Sequence, residues 1–296
     1  MRLALLAGGL MVLGGMAFGD EKRVIQSPPA LQEAGQIPLW SLDLKGDYTF
    51  GSRIMKAGDF GSQAEYHFDL DALRNLSLFG KYYLQIGVDH ERFAFSRSND
   101  IFPYAMSSVS AEIAISYWTG DVFFPLLKLE PGIYFTRDYV TRNSLDIPMR
   151  VAMGIKINDN IYLVLGLAAD PLAQTPALPI GGVNWKINDK LNFRAVFPKP
   201  RLSYTPNEAL ELFVAGEIQG GVYRNGPTND RRTNNALLEY REYRAGVGAS
   251  YTPKKDISLE ATAGWSFQRD FDYYRAGPDY KSKGAPYIKL EMSIGL

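Results

Sequence analysis

Apolar and polar residues alternate along the last segment of the chain. Ile288, Leu290, Met292, Ile294 and Leu296 are apolar, and the residues between them are polar or small. This period-two alternation predicts a β-strand with one apolar face. The pattern continues to the final residue, whereas the ends of soluble domains usually fray. A membrane β-barrel needs such a strand, because its last strand pairs with its first and its apolar face meets lipid.

The same alternation recurs in thirteen earlier segments, none of which has a charged residue in its apolar set. The apolar sets begin at Leu42, Ala64, Tyr82, Val109, Leu127, Ile147, Ile161, Val183, Leu191, Leu202, Leu210, Ala245 and Ile257. Together with the terminal segment they predict an all-β fold, a transmembrane up-and-down antiparallel barrel of about fourteen strands.

Charged residues occupy the interleaved positions, which would face the interior of such a barrel. A charge at the middle of the lipid face would cost roughly 2–4 kcal/mol. A soluble barrel or sandwich also separates charge by face, so alternation alone leaves both classes open. The candidates for the interior face are Glu65, His67, Lys81, Asp89, Glu112, Lys128, Glu130, Arg150, Lys156, Lys186, Arg194, Glu211, Glu217, Arg244, Glu260, Lys289 and Glu291.

The connections between the segments alternate in length, which favours the membrane barrel. Most connections after even-numbered segments are short turns, such as Asn158-Asp159-Asn160. Most connections after odd-numbered segments are long and polar; these are residues 51–61, 96–107, 138–146, 169–180, 224–237 and 270–285. Outer-membrane barrels have short periplasmic turns and long external loops. This parity predicts that both chain ends lie in the periplasm.

One connection breaks the rule. The stretch Phe197-Pro198-Lys199-Pro200-Arg201 is tight where a long external loop is expected. It is either a short external turn, which gives fourteen strands, or a proline bend within one strand, which gives twelve. Proline cannot donate a ladder hydrogen bond, so both interpretations are physically open, and we favour fourteen.

The N-terminus predicts export. Residues 1–19 combine Arg2, a charge-free apolar run and Ala17-Phe18-Gly19, which is typical of a cleaved signal peptide. Residues 20–39 contain three prolines and are expected to form a periplasmic lead-in, followed by the barrel over residues 40–296. The expected location is therefore the outer membrane of a Gram-negative-type envelope.

Charge and cysteine content exclude several classes of protein. Lys plus Arg and Asp plus Glu both total 32, so the net charge of zero argues against a nucleic-acid partner. The chain has no cysteine, which excludes a lipid-anchored lipoprotein and a disulfide framework. No apolar run after the signal is long enough for a membrane helix.

A short motif carries a family resemblance. Gly181-Gly182-Val183-Asn184-Trp185 precedes Asn188-Asp189, and Phe197-Pro198-Lys199-Pro200-Arg201 precedes Tyr204. This segment resembles one found in an uncharacterised family of bacterial outer-membrane β-barrel proteins with a porin-like plan. The resemblance implies a barrel in the outer membrane and brings no substrate and no catalytic residue.

Candidate chemistry in the sequence is sparse. His67 lies on the charged face near Asp89 and could serve a surface hydrolase, but a polar interior network is the favoured interpretation. We expect no catalytic residue, metal site or cofactor. Aromatic residues near strand ends, among them Phe93, Phe95 and Tyr223, indicate an interfacial girdle rather than a sugar-binding surface.

Three functions remain open at this point. The favoured hypothesis is a porin-like passive channel for small polar solutes. The alternatives are a non-conducting structural or interaction barrel that presents external loops, and a surface hydrolase. Expected partners are outer-membrane lipid, lipopolysaccharide and, through the C-terminal strand, the barrel-assembly machinery. Dense pairing of the interior charges would narrow the channel, whereas hydration would leave it open.

Overall fold

The structure, a computed structural model, describes residues 38–55, 60–118, 123–275, 277 and 279–296. The expected signal peptide and residues 20–37 of the expected lead-in lie outside the described residues. A 3-10 turn covers Arg142–Ser144. The β-segments are β1 (Trp40–Met55), β2 (Ser62–Phe79), β3 (Tyr82–Phe95), β4 (Ala105–Trp118), β5 (Phe123–Leu129), β6 (Gly132–Thr136), β7 (Leu145–Asp146), β8 (Met149–Asn158), β9 (Ile161–Ala169), β10 (Ala177–Lys186), β11 (Leu191–Val196), β12 (Arg201–Asn207), β13 (Leu210–Arg224), β14 (Leu237–Lys254), β15 (Ile257–Asp272), β16 (Asp279–Ser282) and β17 (Ala285–Gly295).

These segments form fourteen barrel strands, because three strands are interrupted. β5 and β6 both pair with β4, on either side of Pro131. β7 and β8 pair with β6 and β5 respectively, on either side of Pro148. β16 and β17 both pair with β15 and with β1. Prolines interrupt two of the three because they cannot donate to a ladder.

The tight connection at residues 197–200 is an external turn between two separate strands. β11 and β12 pair antiparallel, with Arg194 opposite Arg201. The Lys199 amide donates to the Val196 carbonyl at 3.1 Å, which closes the turn. Fourteen strands are therefore confirmed, and the proline-bend alternative is wrong.

The barrel closes between the first and last strands, as the terminal alternation predicts. β1 pairs antiparallel with β17 over nine residue pairs, from Ser41 opposite Gly295 to Thr49 opposite Tyr287. The Trp40 and Leu296 backbones exchange two hydrogen bonds of 2.9 and 2.8 Å at the end of this seam. Both described chain ends thus lie at the short-turn end, called here the inner end. Closure pairs the backbone groups that a sheet edge would leave open.

The exterior is apolar and the interior is charged. Val88, Val247 and Leu290 point outward and are 58%, 60% and 67% exposed, whereas Glu65 and Arg269 are completely buried inside. The fold is thus a transmembrane, up-and-down antiparallel β-barrel. No helix in the described ranges is both long and apolar enough to cross a membrane.

The barrel is pinched at the outer end, where the long connections lie. β6 and β13 meet there in a parallel bridge between Phe135 and Arg224, although neither is the other's neighbour around the barrel. The Thr136 hydroxyl donates to the Asn225 side chain at 2.6 Å and accepts from the Gly226 amide at 3.1 Å. This contact divides the outer mouth into a wide side, formed by β13–β17 and β1–β6, and a narrow side, formed by β7–β12.

Candidate functional site

Ion pairs cross the interior of the wide side. Arg244 on β14 lies 3.1 Å from Asp47 on β1 and 2.9 Å from Glu217 on β13. Two strands separate β14 from β1, so the Arg244–Asp47 pair spans the cavity rather than running along the wall. Lys199 and Lys289 also reach Glu217, at 2.9 and 3.5 Å. A buried guanidinium is tolerated when carboxylates surround it in this way.

His67 is part of the same network. Its Nδ1 lies 2.8 Å from Asp47 and its Nε2 lies 2.9 Å from Glu91. The ring stacks on Phe93 with a centroid separation of 4.3 Å. Both ring nitrogens are thus engaged by carboxylates, and no serine, threonine or cysteine side chain is among these neighbours. The geometry is that of a buried polar network.

A second buried group lies nearer the outer end of the wide side. The Arg269 guanidinium lies 3.4 Å from Glu65 and donates to the Ser52 hydroxyl at 2.9 Å and the Gln63 carbonyl at 2.6 Å. The Tyr240 hydroxyl donates to the same Glu65 oxygen, Oε2, that Arg269 contacts. These contacts join β15 and β14 to β2, again across the interior.

An aromatic cluster lies next to this group inside the barrel, on the side of the outer end. We call it the outer aromatic cluster; it comprises Ile54, Phe93, Phe95, Phe102, Met106, Tyr223, Leu238, Tyr240, Phe271, Tyr273 and Tyr280. Phe102 comes from the connection between β3 and β4, and its ring lies 5.5 Å from Phe271 and 5.0 Å from Tyr280. Asn99 holds this connection in place by accepting the Phe102 amide at 2.8 Å. The cluster fills the outer end of the wide side.

Two further ion clusters line the remaining wall. Lys128 lies 2.7 Å from Glu112 and 2.8 Å from Glu130, and Arg150 lies 2.9 Å from Glu130. These four side chains are buried on β4, β5 and β8 and in the break after β5. The buried charges of opposite sign therefore pair with one another here instead of being hydrated.

The other cluster lies nearer the inner end. Arg201 pairs with Glu211 and lies 2.9 Å from Glu260, and its guanidinium lies over the Phe213 ring at 3.5 Å. Lys289 lies 3.1 Å from Glu291. Arg194 is directly opposite Arg201 in the ladder, so this wall concentrates positive charge that the two glutamates offset.

Three of the candidate interior residues are exposed at the inner end. Lys156 and Lys186 lie beside the turns and pair with Asp159 at 2.8 Å and Asp189 at 2.9 Å. Lys81 lies in the turn between β2 and β3. Their positions in the alternation are those of the interior face. Each residue nevertheless lies in or next to a turn at the inner rim of the barrel, and its side chain is therefore exposed. Asp89 is buried on β3.

Sequence reasoning missed the outer aromatic cluster. Phe93, Phe95 and Tyr223 were expected in an interfacial girdle, and the structure buries them inside the barrel. A signal was available, because Phe93 and Phe95 share the odd parity of Asp89 and Glu91. Phe102 had no such signal, since it belongs to a connection that folds inward.

A small charged clip lies outside the barrel wall. Asp138, in the connection between β6 and β7, accepts hydrogen bonds from Arg92 at 2.6 Å and from the Tyr104 hydroxyl at 3.0 Å. The hydrogen bonds from Arg92 hold the pKa of Asp138 below its ordinary value. Among the described residues, no group of histidine and acidic side chains is arranged to hold a metal ion.

One family model matches most of the chain. A family model described as "Domain of unknown function (DUF6268)" matches residues 84–291, which include the motif at residues 181–204. No curated protein matches the chain.

Several solved structures are similar in outline. An outer-membrane channel of Pseudomonas putida F1 is 10% identical, with 94% of this chain and 100% of that chain covered and a TM-score of 0.48. A Pseudomonas aeruginosa FadL homologue is 9% identical, with 95% and 96% covered and a TM-score of 0.45. The P. putida toluene transporter TodX is 10% identical, with 93% and 94% covered and a TM-score of 0.39. Likeness at this level says nothing about the substrate of this chain.

Proposed function

This chain belongs to the DUF6268 family, a domain of unknown function, and we propose that it is a gated channel of the outer membrane. In the conformation described here the channel is closed. The observation that carries the proposal is the filled interior of the wide side, where ion pairs cross the cavity beneath the outer aromatic cluster.

The location follows from the distribution of exposed side chains. The outward faces of the strands are apolar around the barrel, and long connections lie at one end only. That asymmetry supports an outer-membrane barrel with the long connections outside. An N-terminal signal peptide, as the sequence predicts, would deliver the chain there.

A steadily open porin for polar solutes fits this interior poorly. Porins hold a water-filled channel, and their interior charges face that water. Here Arg244, Lys128 and Arg201 each contact two carboxylates, and Arg244 and Lys128 are buried. The charges therefore stabilise the closed arrangement, and passage requires some of these contacts to rearrange.

A non-conducting structural barrel is the second candidate. The same crowded interior favours it, because interior packing of this kind stabilises a scaffold without any need for passage. A surface hydrolase has less support, since both nitrogens of His67 are already engaged by carboxylates.

Planar-bilayer recordings of the full-length purified barrel separate these functions. We expect the unmodified barrel to show rare, small conductance events. Phe102→Ala, which removes one ring from the outer aromatic cluster, should raise the frequency or size of these events. Phe267→Ala is the matched control, because this ring is outward-facing and 58% exposed.

Two results would contradict the proposal. A large, steady conductance in the unmodified protein would identify an open porin. An absence of conductance in the unmodified protein and in Phe102→Ala alike would identify a structural barrel.

A further inference from the structure

The barrel wall is low at β11 and β12. β11 has 6 residues and β12 has 7, whereas a tilted strand needs about 9–11 residues to cross the hydrocarbon core. Their neighbours are longer, since β10 has 10 residues and β13 has 15. The turn at residues 197–200 therefore ends below the outer ends of β10 and β13.

A gap opens in the wall above this turn. β10 pairs with β11 as far as Gly182, and the Phe197 amide still donates to the Gly181 carbonyl at 3.3 Å. β13 pairs with β12 as far as Ala215, and the Gly216 amide donates to Pro200 at 2.9 Å. Beyond these points, residues 177–180 pair with β9 and residues 217–223 with β14, and the described chain places no strand between them. Three strand spacings of roughly 4.8 Å make the gap about 14 Å wide at its base.

The β10 edge of the gap carries a proline that suits an open edge. The Gly181 carbonyl points toward β11, so by alternation the backbone of residue 179 points to the same side, into the gap. Residue 179 is Pro, which has no N–H to leave unsatisfied there. Natural sheets protect open edges in this way. The local sequence thus agrees with a permanent break in the ladder.

A strap closes the top of the gap. We use this name for residues 170–176, which connect β9 to β10 and lie against β13 and β14. Leu172 and Ala173 pack with Val222, Leu237 and Tyr274. The Tyr274 hydroxyl donates to the Leu172 carbonyl, and the Gln174 amide donates to Glu239 at 3.3 Å. These are loop contacts, so the strap can shift without breaking the strand ladders.

The interior behind the gap differs from the rest of the barrel. Val164, Leu178, Ile180 and Val196 point inward from β9, β10 and β11, and all four are buried. The β13 edge of the gap is different, because Glu217 lies there and is paired with Lys199 at 2.9 Å and with Arg244 at 2.9 Å. An apolar molecule at the β10 side of the gap would therefore meet apolar side chains inside and lipid outside, while the charges at the β13 side are already paired with one another.

We propose that this gap is a lateral portal, through which a small apolar molecule passes between the barrel interior and the membrane. The strap closes the portal in the conformation described here. This inference rests on the proposed channel function, and it adds the class of molecule, the route and the segment that controls it.

A reversible disulfide tests the role of the strap. The chain contains no cysteine, so Ala173→Cys with Val222→Cys introduces the only thiols, at two positions that pack together. The probe is N-phenyl-1-naphthylamine, an apolar dye that fluoresces in membranes, added to intact Gram-negative cells that produce the full chain. The matched control is Ser250→Cys with Ser258→Cys, whose side-chain oxygens lie 3.1 Å apart on the paired strands β14 and β15.

We expect oxidation of the Ala173–Val222 pair to reduce dye uptake to the rate of cells without the barrel, and reduction to restore it. Oxidation of the control pair should leave the rate unchanged. Tyr274→Phe, which removes the hydrogen bond to the strap, should raise uptake about fivefold, since a net hydrogen bond shifts an equilibrium by about that factor. Should thiol titration show that the Ala173–Val222 disulfide does not form, the Tyr274→Phe result decides.

The portal is wrong if dye uptake stays unchanged when the strap is locked, or when it is loosened with Tyr274→Phe, while Phe102→Ala still raises conductance. That combination of results would leave the channel proposal intact. If the unmodified protein and Phe102→Ala both lack conductance, the channel itself is wrong, and the portal, which rests on it, is wrong with it. The two failures are therefore distinguishable.

Discussion

At the scale of single residues, burial decides what each charged side chain does. His67 is held between Asp47 and Glu91 inside the barrel, whereas His90 is half-buried on the outward face and its Nδ1 lies 2.9 Å from the Ser108 carbonyl. Two histidines in one β-hairpin thus have different roles. The first joins two buried carboxylates, and the second makes one local contact.

His67→Ala should destabilise the barrel strongly, because it leaves Asp47 and Glu91 facing each other without their shared partner. Removing one member of a buried charged network costs about 3–5 kcal/mol. The measurement is the free energy of unfolding in urea, for the protein folded into lipid vesicles. His90→Ala is the control and should cost about 1 kcal/mol. A hydrolase role would show the reverse pattern, a lost activity with unchanged stability.

Outside the wall, Asp138 predicts a response to pH. Its pKa is lowered by Arg92, so the clip is present above the ordinary carboxyl pKa of about 4 and is lost as pH falls through the lower, folded value. A dye attached at Val140→Cys reports the motion of this connection through its fluorescence anisotropy. We expect constant anisotropy from about pH 7 to about pH 5 and a fall below about pH 4. Asp138→Asn should abolish this pH dependence, and an unchanged profile in that variant would rule the clip out.

At the scale of elements, the side chains of a strand alternate between the apolar outward face and the charged interior of the barrel. On β17, Leu290 is 67% exposed on the outward face, and its neighbours Lys289 and Glu291 form an ion pair inside. β1 shows the same division, since Lys45 and Asp47 point inward from it. A one-residue slip of register would exchange these faces, so register is strongly specified.

Depth in the membrane should control the cost of a charge on this face. Leu290→Arg, in the middle of β17, should cost about 2–4 kcal/mol of folding free energy, and Leu296→Arg, at the rim, about 0–1 kcal/mol. Leu290 lies on the outward face of β17, Leu296 directly follows its last residue, and both are exposed. Folding titrations into lipid vesicles measure the difference. Equal costs at the two positions would exclude a lipid environment around β17.

At the scale of the whole molecule, contacts between distant walls shape the barrel. The bridge between β6 and β13 narrows the outer mouth, and the Thr136 hydroxyl lies at its centre. Ion pairs across the barrel, such as Arg244 with Asp47, also connect distant strands, at a greater distance from the outer mouth. The proposed closed state would therefore be a property of the assembled barrel rather than of any one strand.

Thr136→Val should loosen the bridge, because the Gly226 amide and the Asn225 Oδ1 atom lose their hydrogen bonds to the Thr136 hydroxyl. The expected cost is about 1–3 kcal/mol, seen as faster hydrogen exchange at the Gly226 amide. Thr262→Val is the control, since Thr262 points inward from a wall that is paired on both sides. Equal exchange at Gly226 in the two variants would mean that the bridge does not depend on this hydroxyl.

The sequence by itself determined the fold to a large extent. Fourteen alternating segments became fourteen strands, and the terminal segment closes on the first strand. The physical reason is local, since period-two alternation assigns each residue to a face wherever one face meets lipid. The inward parity of residues such as Glu65 and Arg244 followed from the same rule. For the number of strands, the structure was needed at one place, residues 197–200. A turn between two strands and a bend within one strand can both be built from Pro198 and Pro200, so the sequence left both open.

The tertiary structure alone decided what faces what across the interior. Arg244 and Asp47 are 197 positions apart, and no local pattern relates their strands. Whether interior charges are hydrated or paired depends on the pinch between β6 and β13 and on Phe102 folding inward. The gap above β11 and β12 has the same origin. Alternation reports the face of a strand but not its height relative to its neighbours, and that height locates the proposed portal.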